Sequence, residues 1–450
     1  MPPVRHVFVI NIENKGYDDT WGPTSAAPYL ARTLRSQGVL LNTYYGTAHN
    51  SQPNYVAQIC GQGPNPQMQG DCQIYSQFVG TGTAPPGQAV GDGCVFPRSV
   101  ANLTDQLKSG GLSWKGYMED MGMPCRRPAV NAPDPTQKAA VGDQYAVRQH
   151  PFMYFTSVIG APDCAQHVVD LSQLPTDLTR ASTTPNLTYI TPNLCHDGHD
   201  SPCVDGQPGG LTSVDAWMKV WVPKILDSPA FKADGVLVIT ADESDGPHTD
   251  ASACCGEGPG PNSPLPGIAG LGGGRVGALV LSRYVAPNTR STTSYNHDSL
   301  LASIEDIFRL PYLGYAQSAG LNRFALDIYN SGLEPSLTGR AAHPVAGLSG
   351  AVHRGRPGMC LQGSLARSAE LPDAVPMGHL NEQEALDHVS QRLATRFPEF
   401  SQASVRAMVG EAQARLAGPV RDYVPVLVEH QVRDALSRAC ASSDMGVAIR

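Results

Sequence analysis

The chain has 450 residues, 41% of them hydrophobic and 16% charged, with 46 Gly and 38 Pro. That is enough apolar material for a sizeable core, which excludes wholesale disorder, and enough turn-formers for long loops in a chain of two or three domains. Thirty-two Lys and Arg stand against 40 Asp and Glu, the formal net charge is −8 and no basic run of five occurs, which excludes nucleic acid as a partner of the whole chain.

Val4 to Ile12 (VRHVFVINI) has the continuous apolar and β-branched character of a strand buried on both faces, and it ends in Glu13-Asn14-Lys15-Gly16. It starts without a signal-peptide core, and no apolar stretch approaches the 18 or so residues that span a bilayer, so no transmembrane segment is expected. Helical periodicity covers Ala27 to Gln37, and Gly61 to Arg98 reads as a long loop. A helix over Ser213 to Leu226 precedes a second buried strand, Gly235 to Thr240, which ends in Ala241-Asp242-Glu243. The loop Ala251 to Gly274 then leads to a third strand, Arg275 to Tyr284, and on to His297-Asp298 and a helix over Asp298 to Arg309. Acidic residues at the carboxyl ends of strands in an α/β sheet are where ligand sites are built. Residues 1–334 are thus the expected catalytic body, 335–378 a Gly/Pro/Ala/Ser-rich linker or irregular extension, and 379–450 three short amphipathic helices.

Eleven cysteines, nine of them before residue 256, lack any C-x-x-C pair of a zinc site. Several are expected to form disulfides of a secreted or cell-envelope protein whose leader is absent from the chain; buried free thiols and a cytoplasmic location stay open. The odd total leaves at least one unpaired within a monomer.

Glu13-Asn14 and Asp242-Glu243, taken singly, read as turns or caps; together in one sheet, their converging carboxylates call for a cation or a proton between them. Thr47-Ala48-His49-Asn50-Ser51-Gln52-Pro53-Asn54-Tyr55 puts Ser51 before a helix-like start at Tyr55, as a cap or as a nucleophile exposed where backbone N–H groups receive a phosphate oxygen. Asn193 to Asp200 carries two histidines and two aspartates, too polar and compact for a core segment. His297 is a candidate phosphate donor or general acid, and His150, in Arg148-Gln149-His150-Pro151-Phe152, is either a site residue or a structural one.

Seven blocks, in order, carry a resemblance: Ile12 to Asp18, His49 to Tyr55, Ser113 to Asp120, His150-Pro151-Phe152, Thr191 to Asp197, Asp242-Glu243 and Tyr295 to Asp298. Over residues 4 to 315 the chain resembles the bacterial phosphoesterase family that unites acid phosphatase A with phospholipases C. The resemblance implies an alkaline-phosphatase-like α/β sandwich with a mixed, largely parallel central sheet flanked by helices. It implies a divalent metal held by Glu13, Asn14, Asp242 and Glu243, with Ser51 as metal-bound nucleophile. Ser51-Gln52-Pro53-Asn54-Tyr55 is closer to the phosphatase branch than to the Thr-Gln-Pro-Asn-Arg of phospholipases, which implies a phosphomonoester substrate handled through a phosphoserine. A phospholipid head group or other diester, and a catalytically silent binding protein, are the alternatives. His199, in preference to His196, then joins His297, His49 and His150 as donors to the phosphoryl oxygens. Residues His379 to Leu436 resemble an actinobacterial three-helix bundle, which implies a homodimer or partner-docking module.

Overall fold

The computed structural model describes residues 1–329, 386, 390, 391, 393, 394 and 400–415. Contacts divide the chain into two units, Met1–Gly339 and Arg340–Arg450. In the second, the described helix is Gln402–Arg415, with Val405 and Val409 buried. Of the first expected tail helix, Leu386, Ser390, Gln391, Leu393 and Ala394 are described and helical, with Leu386 and Leu393 buried; the expected linker and the third tail helix lie outside the described residues.

The first unit contains β1 (His6–Ile12), β2 (Val39–Leu41), β3 (Tyr44–Tyr45), β4 (Val79–Ala84), β5 (Gln88–Asp92), β6 (Trp114–Met118), β7 (Val168–Asp170), β8 (Leu187–Thr191), β9 (Gly235–Ala241), β10 (Ala278–Ser282), β11 (Thr289–Ser291) and β12 (Tyr295–Asn296). Eight of them form one sheet in the order β11-β2-β10-β9-β1-β8-β6-β7. Every residue of β1 and β9 is buried, which is why both read as unbroken apolar runs: central parallel strands have both faces covered. The architecture is the α/β sandwich with a mixed, largely parallel sheet that the sequence implied.

Strand β10 is the exception in direction. It pairs antiparallel with both β9 and β2, so its carboxyl end lies on the opposite edge from those of β1 and β9. His297 therefore reaches the site by another route than the sequence suggests. The chain turns back through β11, parallel to β2, and through β12, parallel to β3. The helix His297–Phe308 then starts behind an Asn296 capping box.

Three local expectations are corrected. Ala27 to Gln37 is not an α-helix but a π-helical turn, Tyr29–Leu34, running into a 3-10 turn, Arg35–Gln37. Asp215 of the helix Gly210–Asp227 fixes its start by accepting the Tyr29 and Leu30 amides at 2.7 and 3.1 Å. The stretch Gly61 to Arg98 holds the antiparallel hairpin β4–β5, whose Gly-rich sequence hides the alternation of a strand. The helix expected from Tyr55 begins at Ser51 and runs to Cys60.

Among the described residues four disulfides tie the loops: Cys72–Cys94, Cys125–Cys164, Cys195–Cys203 and the adjacent pair Cys254–Cys255. Cys60, buried, is free. Among the described residues no helix is long and apolar enough to cross a membrane.

Candidate active site

The parallel run of β9, β1, β8 and β6 brings their carboxyl ends to one edge, and the site is assembled there. Glu13, directly after β1, is fully buried. Its amide donates to the Asp197 carbonyl at 2.8 Å, which ties the end of β1 to the loop after β8. Asn14 follows in the left-handed region (φ 50°), a conformation Asn tolerates better than most side chains, and its amide donates to Asp242 Oδ1 at 3.0 Å. One backbone kink thus joins the carboxyl ends of β1 and β9.

Ser51 is the first residue of its helix and does not act as a cap. Its hydroxyl donates to Glu13 Oε2 at 2.7 Å, and Tyr55, one turn further along the same helix face, donates to Glu13 Oε1. The next amide, that of Gln52, donates to Asp71 Oδ1 at 3.0 Å. Burial pushes the Asp71 carboxyl up to about 6 although Arg148 opposes the shift.

Around Ser51 and Glu13 three oxygens are buried with no hydrogen-bond partner: Asn14 Oδ1, Asp242 Oδ2 and Asp197 Oδ2. Burial first, and the Glu13 charge second, push both Asp242 and Asp197 well above the usual carboxylate range. Unpaired buried carboxylates cost several kcal/mol unless a proton or a cation joins them. Oxygen donors only, carrying several negative charges, are the set a hard divalent cation takes. Among the described residues, the His, Cys, Asp and Glu triplets whose ligand atoms lie within 4.8 Å of one another are Cys195/Cys203/Asp205 and Cys254/Cys255/Glu257, all of whose cysteines are disulfide-bonded. The carboxylates at Ser51 are more widely spread, so an ion there would need Asn14 Oδ1 and the Ser51 hydroxyl as well. Of the set that the resemblance implies, Glu13, Asn14, Asp242 and Ser51, joined by Asp197, offer the oxygen donors that suit such a cation, whereas Glu243 is paired elsewhere.

Glu243 is placed differently from its neighbour Asp242. Its Oε2 pairs with His49 Nδ1, and His49 Nε2 meets the Asp250 carbonyl at 3.1 Å. Burial lowers the His49 pKa. The two residues thus occupy each other rather than the Glu13 cluster.

The histidines divide sharply. His297 is buried with Nε2 on the Asp242 carbonyl at 2.5 Å and Nδ1 facing Tyr44 Oη and Gln58 Nε2 at 3.1 and 3.2 Å. Its one N–H is spent on that carbonyl, and burial pushes its pKa down to about 4. Instead of the expected donor to a phosphoryl oxygen, this geometry makes His297 a brace for Asp242. His150 has both nitrogens buried and unpartnered, lies edge-on to Tyr145 and Phe152, and is pushed down to about 3 by burial. It is bonded to none of the residues at Ser51, and reads as a neutral core histidine.

His199 stays with the cluster. Its amide donates to Asp197 Oδ1 at 2.7 Å, Nδ1 pairs with Asp200 Oδ1 at 2.7 Å, and Nε2 lies 3.1 Å from Arg148 Nη2. A guanidinium only donates, so His199 Nε2 is the acceptor and the ring carries its proton on Nδ1. Arg148, 3% exposed, also donates to the Gln137 carbonyl at 3.1 Å.

Asp197, Arg148, Tyr55 and Asp71 were not singled out from the sequence. The first three carried a signal: Asp197 lies in the polar loop, Arg148 opens the His150 block, and Tyr55 is one helical turn from Ser51. Asp71 had none, being an ordinary loop aspartate until the fold sets it beside Gln52.

The chain is similar over much of its length to several phosphatases. A probable acid phosphatase of Kluyveromyces lactis is 24% identical over 313 residues, covering 69% of this chain and 59% of that protein. A phosphatidylinositol-3-phosphatase of Mycobacterium tuberculosis is 24% identical over 319 residues, covering 71% of this chain and 82% of that one. The chain spans little more than half the length of the acid phosphatases of Kluyveromyces lactis and Aspergillus fumigatus. Among solved structures, a protein in the alkaline phosphatase superfamily from Vibrio parahaemolyticus aligns with a TM-score of 0.40 and 11% identity over 68% of this chain and 66% of that one. The model of the phosphoesterase family matches residues 23–311, most of the first unit, and the chain belongs to that family.

Proposed function

We propose that the protein hydrolyses phosphoric monoesters through a phosphoserine formed on Ser51. The observation that carries this reading is the Ser51 hydroxyl, held at a helix N-terminus on the buried Glu13 carboxylate beside three unpartnered oxygens. Ser51 Oγ attacks phosphorus in line as its proton passes to Glu13, and the bond from phosphorus to the ester oxygen breaks. The departing alcohol takes up a proton, and water then cleaves the phosphoserine to release phosphate. Arg148, anchored on Gln137 and His199, keeps N–H groups for the phosphoryl oxygens, where a charge-assisted pair adds roughly 1.5–3 kcal/mol. Glu13, Asn14, Asp242, Asp197 and Ser51 would hold a divalent cation. When bound, it lowers the pKa of the hydroxyl and offsets the charge that grows on the phosphoryl group.

The names of the relatives support a monoester, and the Mycobacterium tuberculosis one supports a phosphate borne on a lipid head group. The four disulfides support export to an oxidising compartment. A single assay tests the reading. The purified protein is offered a phosphomonoester, a phosphodiester and phosphatidylcholine, with and without chelator, beside Ser51→Ala. Monoester hydrolysis should be fastest, fall on chelation, return with added divalent metal, and drop at least ~10³-fold in Ser51→Ala. Turnover that survives Ser51→Ala would remove the nucleophile assignment; no hydrolysis of any substrate would favour a binding role.

A further inference from the structure

A second concavity, with about 130 Å³ of free space, opens beside the Ser51 helix at Ala57 and contains none of the residues assigned above to catalysis or metal binding. Its wall is the loop that follows the Cys254–Cys255 disulfide, and two acids line it. Asp298, 5% exposed and in the first turn of the helix His297–Phe308, has a buried Oδ1 without any hydrogen-bond partner. Glu257 accepts from Asn296 Nδ2 at 2.5 Å through Oε1, while its Oε2 is buried and equally unpartnered. Tyr315 forms another side, accommodated by glycines: a Cβ on Gly63 would come within 2.9 Å of its ring, and one on Gly260 within 3.1 Å of its hydroxyl. Pro64, Pro259 and Leu321 supply apolar surface.

We propose that this pocket binds a small organic cation, an ammonium group on a compact apolar body. Two unpartnered carboxylate oxygens require N–H donors, and an aromatic ring beside them adds cation–π attraction. A bare metal ion fits poorly. The Asn296 oxygen already accepts from the Ser299 amide and hydroxyl, which leaves mainly the two carboxylates, short of the roughly six oxygens that a hard cation takes. The free space, about 130 Å³, far exceeds what a single ion or water fills. Burial, which pushes Glu257 up to about 7 and Asp298 well above the carboxylate range, is the penalty that a bound ammonium would relieve.

The test is calorimetric titration of the full chain at pH 8 with cyclohexylamine and with its uncharged analogue cyclohexanol. The amine should bind at least tenfold more tightly than the alcohol. Glu257→Gln and Asp298→Asn should each weaken it at least tenfold, and Ser51→Ala should leave it unchanged, which separates this site from the reading of the catalytic one. Equal binding of the alcohol, amine binding that survives both acid substitutions, or no amine binding would overturn the proposal. So would stabilisation by calcium chloride that Glu257→Gln abolishes, which would mark an ion site. The comparison of amine with alcohol on the unmodified protein stands even where a variant fails to fold.

Discussion

Glu305, two turns beyond His297 on the same helix, offers a test of burial as a source of pH-dependent stability. Its side chain is fully buried, and Oε1 accepts the Leu313 amide at 3.0 Å. Oε2 has no partner, and neither has the buried Oε1 of the adjoining Gln106, so two acceptors stand without a donor between them. Burial pushes Glu305 from 4.5 to about 9. A carboxyl raised in the folded state contributes fully below its unfolded pKa, near 4.5, and that contribution is lost as pH rises towards 9. At pH 8 the full shift would correspond to a penalty of about 5 kcal/mol. Polarisation and water relaxation around buried groups leave about 1–2 kcal/mol of it. Glu305→Gln keeps the acceptor for Leu313, places an N–H towards Gln106 Oε1 and removes the titration. The variant should gain about 1–2 kcal/mol at pH 8, seen as a Tm higher by about 2–6 °C, and nothing at pH 4.5. Thermal melts of both proteins at the two pH values measure it. A variant no more stable than the parent at pH 8, or equally stabilised at pH 4.5, would refute the reasoning.

The Cys195–Cys203 disulfide closes the loop that carries Asp197 and His199. Replacing both cysteines by serine should cost about 2–3 kcal/mol in urea unfolding and lower phosphatase turnover, and an unchanged unfolding midpoint would show that the bridge does not constrain the loop. Pairing of two copies through residues 379–450 is likewise a proposal: truncation after Met377 should halve the mass seen in light scattering, and equal states for the two chains would dismiss it.

Much of the site was legible because strands announce their ends. The apolar runs of β1 and β9 stop at Glu13-Asn14 and Asp242-Glu243, and parallel neighbours necessarily deliver both ends to one edge. Ser51 was legible from its block. Strands β6, β7 and β8 were not picked out, since runs as short as Val168–Asp170 carry too few residues for a period to emerge.

By itself, then, the sequence determined the class of fold, the two acidic strand ends, the serine and the loop-borne histidines, because these depend on local composition and order. Only the tertiary structure decided what each group does. Glu243 went to His49 and Asp197 joined Asp242; His297 turned its N–H to a backbone carbonyl, and His150 was sealed among aromatic rings. Arg148 was brought 51 residues along the chain to His199, and Ser51 to Glu13 across 38. Hydrogen-bond partners and burial are set by which distant segments the sheet order brings together, and no local pattern encodes that order.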